Sequence, residues 1–161
     1  MNKTQLASCP HDHSKCVNDA LSWAENLCAR QRLRLTRLRR RVLDLLWKSH
    51  MPMGAYDILG VIREQDGRRT APPTVYRALA FLLESGLAHR IDSLNAFVGC
   101  DHPEPKHQCQ FLICRECSTA IELEQQSICD AIIKSSGEAG FKVDRQAVEV
   151  LGICAGCQGD L

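Results

Sequence analysis

Apolar and small residues recur at Val17, Leu21, Ala24 and Cys28, with Ala20 and Leu27 beside them. This spacing of three and four predicts a helix from Val17 to about Gln31. Leu38, Val42, Leu45 and Leu46 repeat the period in a second helix. Its N-cap is Thr36, whose hydroxyl can accept from an N–H that the first turn leaves unpaired. Met51 to Gly54 interrupts the pattern, and Ala55, Ile58, Leu59 and Ile62 form the stripe of a third helix ending near Asp66 and Gly67. Pro72 and Pro73 suit a helix start, where a missing N–H is harmless. Val75, Leu79, Leu82 and Leu83 then carry a fourth helix to Gly86, with Thr74, Tyr76, Arg77 and Glu84 on its outward side. Two extended runs, Leu87–Asp92 and Ala96–Gly99, flank Ser93 to Asn95 and predict a hairpin.

The period changes after a polar stretch. Residues 110–114 and 118–124 predict two short strands, with Ile121 and Leu123 on one face and Ala120, Glu122 and Glu124 on the other. A helix from about Gln125 to Ala139 would turn Ile128, Ala131, Ile132 and Ser135 to one side, with Gly140 ending it. A final strand over residues 142–153 delivers Cys154. The class is α+β: an N-terminal winged helix-turn-helix domain over residues 17–99, a hinge at 100–108, and a small C-terminal α/β dimerisation domain at 109–161. Residues 1–16 precede any apolar periodicity. They hold Cys9, His11, His13 and Cys16, which read either as a frayed terminus or as a weak metal-binding tail.

Charge separates the halves further. Residues 1–99 carry 15 Lys and Arg against 9 Asp and Glu, and residues 100–161 carry 5 against 10. A basic winged helix implies a polyanionic partner, double-stranded DNA, and the arginines from Arg30 to Arg41 are candidates for its phosphates. The acidic half, about 50 residues past the hinge, can hardly bury a core alone, so metal and self-association as a homodimer are its expected supports. No apolar run approaches the ~18 residues of a membrane span, and no secretory signal opens the chain, so the expected location is cytoplasmic. In that reducing compartment the ten cysteines point to metal ligation and buried thiols rather than disulfides.

Cys114-x-x-Cys117 and Cys154-x-x-Cys157 are two chelating turns of soft ligands. Four thiolates close a tetrahedron around zinc with no open position, which makes the site structural. The 36 residues between the pairs exceed the usual ribbon spacing, but a helix and a strand account for them. Binding there could supply about 10–16 kcal/mol of apparent free energy, enough to decide whether so small a domain folds. His102 and Glu104 before Cys114-x-x-Cys117 superficially match a zinc nucleobase deaminase. However, Ile113 stands where proline is needed, and the second cysteine pair would take the water's position. An enzyme would also need an open metal position and a general base, and the sequence offers neither; no small-molecule substrate is expected.

Arg34-Leu35-Thr36-x-x-Arg39-x-x-Val42-Leu43, Ala55-Tyr56-Asp57-Ile58-Leu59 and Pro73-Thr74-Val75-Tyr76-Arg77-Ala78-Leu79 lie in the basic half. With Cys114-x-x-Cys117 and Glu149-x-x-Gly152-x-Cys154-x-x-Cys157, they resemble the ferric uptake regulator family of metal-dependent repressors over residues 17–157. Cys100, just after the wing, makes the chain most similar to the zinc uptake regulator branch. The resemblance implies a bacterial cytoplasmic protein with two Zn²⁺ per chain, and a regulatory zinc site at His89, Cys100, His107 and Glu122. Two imidazoles, a thiolate and a carboxylate suit tetrahedral zinc better than octahedral iron or manganese. His102 stays open as a substitute for His107, and Glu124 shares a face with Glu122. The resemblance also implies base contacts by Tyr56 and Arg77, with Thr74 and Tyr76 near the DNA backbone.

The expected function is a zinc-dependent repressor that binds palindromic operators of zinc-uptake genes as a homodimer. An iron or manganese sensor of the same family and a thiol-based redox switch are the alternatives.

Overall fold

A computed structural model of the chain describes residues 13–49, 51–66, 70–100, 109–123, 125–144 and 146–159. They fall into two compact units, one reaching from His13 to Cys100 and the other from Cys109 to Gly159.

The first unit opens with α1 (His13–Arg30). This helix begins four residues before its apolar stripe, because Ser14 and Lys15 are exposed and carry no hydrophobic signal. It stops where Arg32 turns left-handed at φ 55°, and the Leu33 N–H donates to the Cys28 carbonyl at 2.8 Å. Helix α2 (Arg37–Lys48) is capped by Thr36, whose side chain accepts from the Arg39 N–H at 3.4 Å. The interruption at Met51 to Gly54 contains β1 (Met53–Gly54), which runs straight into α3 (Ala55–Asp66). Two residues are too few to reveal an alternation, so only the pairing exposes this strand.

Helix α4 (Pro72–Glu84) starts on its two prolines with no side-chain cap, and Gly86 at φ 68° ends it, the Leu87 N–H reaching the Leu82 carbonyl at 2.8 Å. The hairpin is β2 (Ala88–Ile91) and β3 (Ala96–Gly99). Strand β3 is central in the order β1-β3-β2, with Phe97 opposite both Met53 and Arg90. The core draws Val42 and Leu43 from α2, Ile58 and Ile62 from α3, and Leu79 and Leu82 from α4, all 1% exposed or less. This is a winged helix, with α4 as its last helix and β2–β3 as its wing.

The second unit comprises β4 (Cys109–Cys114), β5 (Ala120–Leu123), α5 (Gln126–Glu138), β6 (Ala147–Gly152) and the one-turn α6 (Ala155–Gln158). The sheet order is β5-β4-β6, antiparallel between β4 and β5 and parallel between β4 and β6. Two expectations need correction. The last strand begins at Ala147 rather than at residue 142. The inward side of α5 is Ile128, Cys129 and Ile132, while Ala131 and Ser135 are exposed. The buried Gln110 amide sets that rotation, donating to the Gln125 carbonyl at 3.0 Å and to the Cys129 sulfur at 2.8 Å.

Gly140 at φ 71° closes α5 as predicted. Leu112, Ile133, Phe141, Val150 and Leu151 remain exposed on this unit. No helix among the described residues is long and apolar enough to cross a membrane.

Candidate metal centres and nucleic-acid interface

The parallel ladder of β4 and β6 assembles the four-cysteine site. Its register puts Cys114 beside Gly152, and the Arg115 N–H extends the ladder by donating to the Gly152 carbonyl at 2.9 Å. Each strand ends at that point in a tight turn. After β4 the chain folds through Cys117 to Ser118, a non-glycine residue held left-handed at φ 58°. After β6, Cys154 is the N-cap of α6, and the Cys157 N–H donates back to the Cys154 carbonyl at 3.0 Å. As a result, the sulfurs of Cys114, Cys117, Cys154 and Cys157 all lie within 4.8 Å of one another.

Electrostatics within the cluster are uneven. The Cys154 N–H, 3.3 Å away, and the Cys117 N–H aim at the Cys114 sulfur and hold its thiol at about 6, well below the ordinary 9.0. The Thr119 hydroxyl, 3.2 Å from the Cys117 sulfur, lowers that thiol as well. Cys157 moves the other way, pushed up to about 12 because it shares hydrogen bonds with the sulfurs of Cys154 and Cys117 and would add negative charge beside Cys114. A cluster that favours the first thiolate and opposes the last needs a cation to become fully ionised. Four sulfurs with no carboxylate or water position fit zinc as a closed structural site.

A second group forms at the base of the wing. His89 on β2 stands opposite Val98 on β3, and Cys100 lies two residues beyond Val98. His89 and Cys100 are therefore diagonal neighbours on one face of the hairpin. The ladder continues under them, with the Cys100 N–H donating to the Leu87 carbonyl at 3.1 Å. Both side chains are buried, Cys100 at 1% and His89 at 9% exposure, and their ligand atoms lie within 4.8 Å. Trp47 of α2 packs over Gly99 so closely that a Cβ there would meet its indole nitrogen at 2.7 Å. No motif signals this contact in the sequence, although it seats the residue before Cys100. In the second unit, Glu122 is half-buried on β5 opposite Phe111. His107 and its alternative His102 lie outside the described residues, as do Glu124, Cys9 and His11.

Helix α4 buries Val75, Ala78, Leu79 and Leu82 and exposes Thr74, Tyr76 and Arg77. Tyr56, at the start of α3, is 69% exposed and meets Tyr76 edge to face, with ring centroids 6.5 Å apart at 82°. The four residues expected to meet DNA thus lie on solvent-facing turns of adjacent helices.

The arginine run divides between two uses. Arg39 stacks over Phe81 at 3.6 Å and donates to the Arg34 carbonyl at 2.6 Å. Arg40 pairs with Glu25 at 2.8 Å, while Arg41 pairs with the buried Asp44 at 3.1 Å and also bonds Gln65. In the free protein these three are thus engaged within the unit. Arg32, Arg34, Arg37 and Arg77 are not held by any side-chain ion pair among the described residues.

Residues 30–151 match the model of the ferric uptake regulator family. A zinc uptake regulation protein of Escherichia coli (strain K12) is 36% identical over 142 residues, covering 88% of this chain and 82% of that one. A solved structure of a zinc uptake regulator complexed with zinc and DNA is 34% identical, with a TM-score of 0.85, covering 89% of this chain and 96% of the other. The crystal structure of holo XcZur is 40% identical, with a TM-score of 0.82 and coverages of 88% and 99%.

Proposed function

The chain belongs to the ferric uptake regulator family, and we propose that within it the protein is a zinc-responsive, DNA-binding transcriptional repressor. The observation that carries this reading is the buried His89–Cys100 pair at the base of the wing, which puts soft metal ligands inside the DNA-binding unit itself. A thiolate in that position favours zinc over iron or manganese. Relatives whose names describe zinc uptake regulation, one of them with zinc and DNA, support it.

The proposed roles follow from the chemistry of each group. Cys114, Cys117, Cys154 and Cys157 hold a structural zinc. His89, Cys100, His107 and Glu122 hold a regulatory zinc, giving two per chain. Zinc bound there would supply a charge centre shared by the ligands that wing, hinge and acidic unit contribute. The protein side of the switch is its ligand set: drawn from three segments, it is complete only when those segments share one arrangement. Operator binding selects the same arrangement, so metal and DNA stabilise one state, and each must tighten the other by an equal factor.

Arg77 reads a base edge, Tyr56 assists it, and Thr74 and Tyr76 contact the backbone. Homodimer formation is supported by β6, an edge strand with Val150 and Leu151 exposed at 49% and 61%. An apolar edge of this kind is a template for pairing. Two copies related by a twofold axis would then read a palindrome.

Selection of genomic fragments by the purified protein at low and high buffered zinc, with ferrous iron in parallel, tests the reading. Enrichment of palindromic promoter sites at high zinc is expected. Enrichment with iron alone would move the protein to another branch of the family, and none with either metal would refute the repressor reading.

A further inference from the structure

The wing carries a cation that the four contacts above leave out. Arg90 follows His89 on β2, and because successive side chains alternate across a strand it is exposed where His89 is buried. Its Nε donates to Asp92 Oδ1 at 2.9 Å and its Nη2 to Asn95 Oδ1 at 3.3 Å. The turn itself brings these two acceptors together. Asn95 is left-handed at φ 47°, and its N–H returns to the Asp92 carbonyl at 3.2 Å. Arg90 and Asn95 line an open cleft together with Tyr56, Tyr76, Leu79, Leu83 and Phe97. Among the described residues lining it, Arg90 is the only charged one.

We propose that Arg90 is a DNA-phosphate contact and that Asp92 is its built-in competitor, holding the guanidinium in the free protein and yielding it to a backbone phosphate on the duplex. This rests on the DNA-binding reading and extends it to a residue pair on the wing. Three observations converge on it. The cleft that Arg90 borders is walled by the tyrosines of α3 and α4, so a duplex lying against those helices passes the guanidinium. The ion pair is 47% and 68% exposed on its two sides and therefore contributes little to the fold, which leaves it free to exchange. A carboxylate and a phosphate also offer the same acceptor oxygens to a guanidinium fork, so Asp92 stands where the phosphate would. Such competition lowers affinity for all sequences alike. The preference for sites that add base contacts through α4 is set by those contacts and is left unchanged by the competitor.

Anisotropy of a labelled mixed-sequence duplex, titrated with zinc-saturated full-length protein over a range of salt, provides the test. Asp92→Asn should tighten binding about two- to fivefold. Arg90→Gln should weaken it and reduce the slope of log K against log salt by about 0.9 for each protomer on the duplex, the loss of one phosphate contact per protomer. Arg90→Lys, which keeps the charge, should restore the slope. The deciding comparison is the double variant: Asp92→Asn should bring no gain once Arg90 is glutamine. An equal gain with and without Arg90 would mean that Asp92 acts only through net charge, and an unchanged slope in Arg90→Gln would remove the contact; either result overturns the proposal. A wild-type protein that binds no duplex at any zinc level would instead overturn the DNA-binding reading, and this proposal with it.

Discussion

A guanidinium stacked on Phe81 and bonded to a backbone carbonyl, as in Arg39, is held in place within its own unit. Arg77 has no ion pair among the described residues and projects from the exposed side of α4. Arg77→Ala should therefore weaken binding to a selected operator by about 1–3 kcal/mol while binding to mixed-sequence duplex stays nearly unchanged. Equal losses on both would reduce Arg77 to a phosphate contact.

The cysteine cluster allows a residue-scale prediction of a different kind. At pH 7.5 Cys114, held at about 6, is already a thiolate, whereas Cys157, pushed up to about 12, keeps its proton until a metal displaces it. Zinc binding to the metal-free site should then release at least one proton but fewer than the four that ordinary thiols would give, one from each cysteine. Calorimetry in buffers of different ionisation enthalpy counts them. Release should rise as pH falls toward 6, where Cys114 regains its proton, and a pH-independent count of four would contradict the asymmetry.

At the scale of elements, two proposed tasks fall on one strand pair. The buried His89 and Cys100 share one face of the β2–β3 hairpin, Arg90 borders the cleft with Tyr56, and β1 ties β3 directly to the start of α3. Gly99 is where this arrangement is tightest, because the Trp47 indole occupies the space of a Cβ. Gly99→Ala should cost about 1–3 kcal/mol by overpacking and displace either the indole or the strand. Tryptophan fluorescence would report the first, and a weaker regulatory zinc affinity the second. A variant with unaltered melting, fluorescence and zinc affinity would show that the contact has no positioning role.

For the molecule as a whole, the two proposed zinc sites should fail differently. Cys114→Ser leaves three sulfurs at the end of a three-stranded sheet that has little other core, since Cys129 is the only buried residue of α5. Loss of cooperative unfolding and of most bound zinc is expected. Cys100→Ser acts at the rim of a well-packed winged helix, so the protein should stay folded, keep one zinc per chain and lose zinc-dependent operator binding. Thermal melts and metal content of the two variants, measured side by side, check this division. Indistinguishable results would end it.

What the sequence alone determined were the features carried by local spacing. Helical periods located α2, α3 and α4 almost to the residue, Thr36 and Gly86 marked ends that the backbone uses, and two Cys-x-x-Cys turns announced a metal site before any geometry was known. The resemblance to the ferric uptake regulator family, read from short motifs, agrees with the match over residues 30–151.

Only the tertiary structure decided what depends on pairing between distant segments. Strand β1 is too short to alternate and exists because Phe97 lies opposite Met53. The inward side of α5 departs from its sequence period because a buried amide, Gln110, sets the rotation through Cys129. Arg39, Arg40 and Arg41 have the same charge and spacing as their neighbours, and only packing puts Phe81, Glu25 and Asp44 against them. Residue type and spacing state what a side chain can do, but its partners are settled by the register and packing that bring remote parts of the chain together.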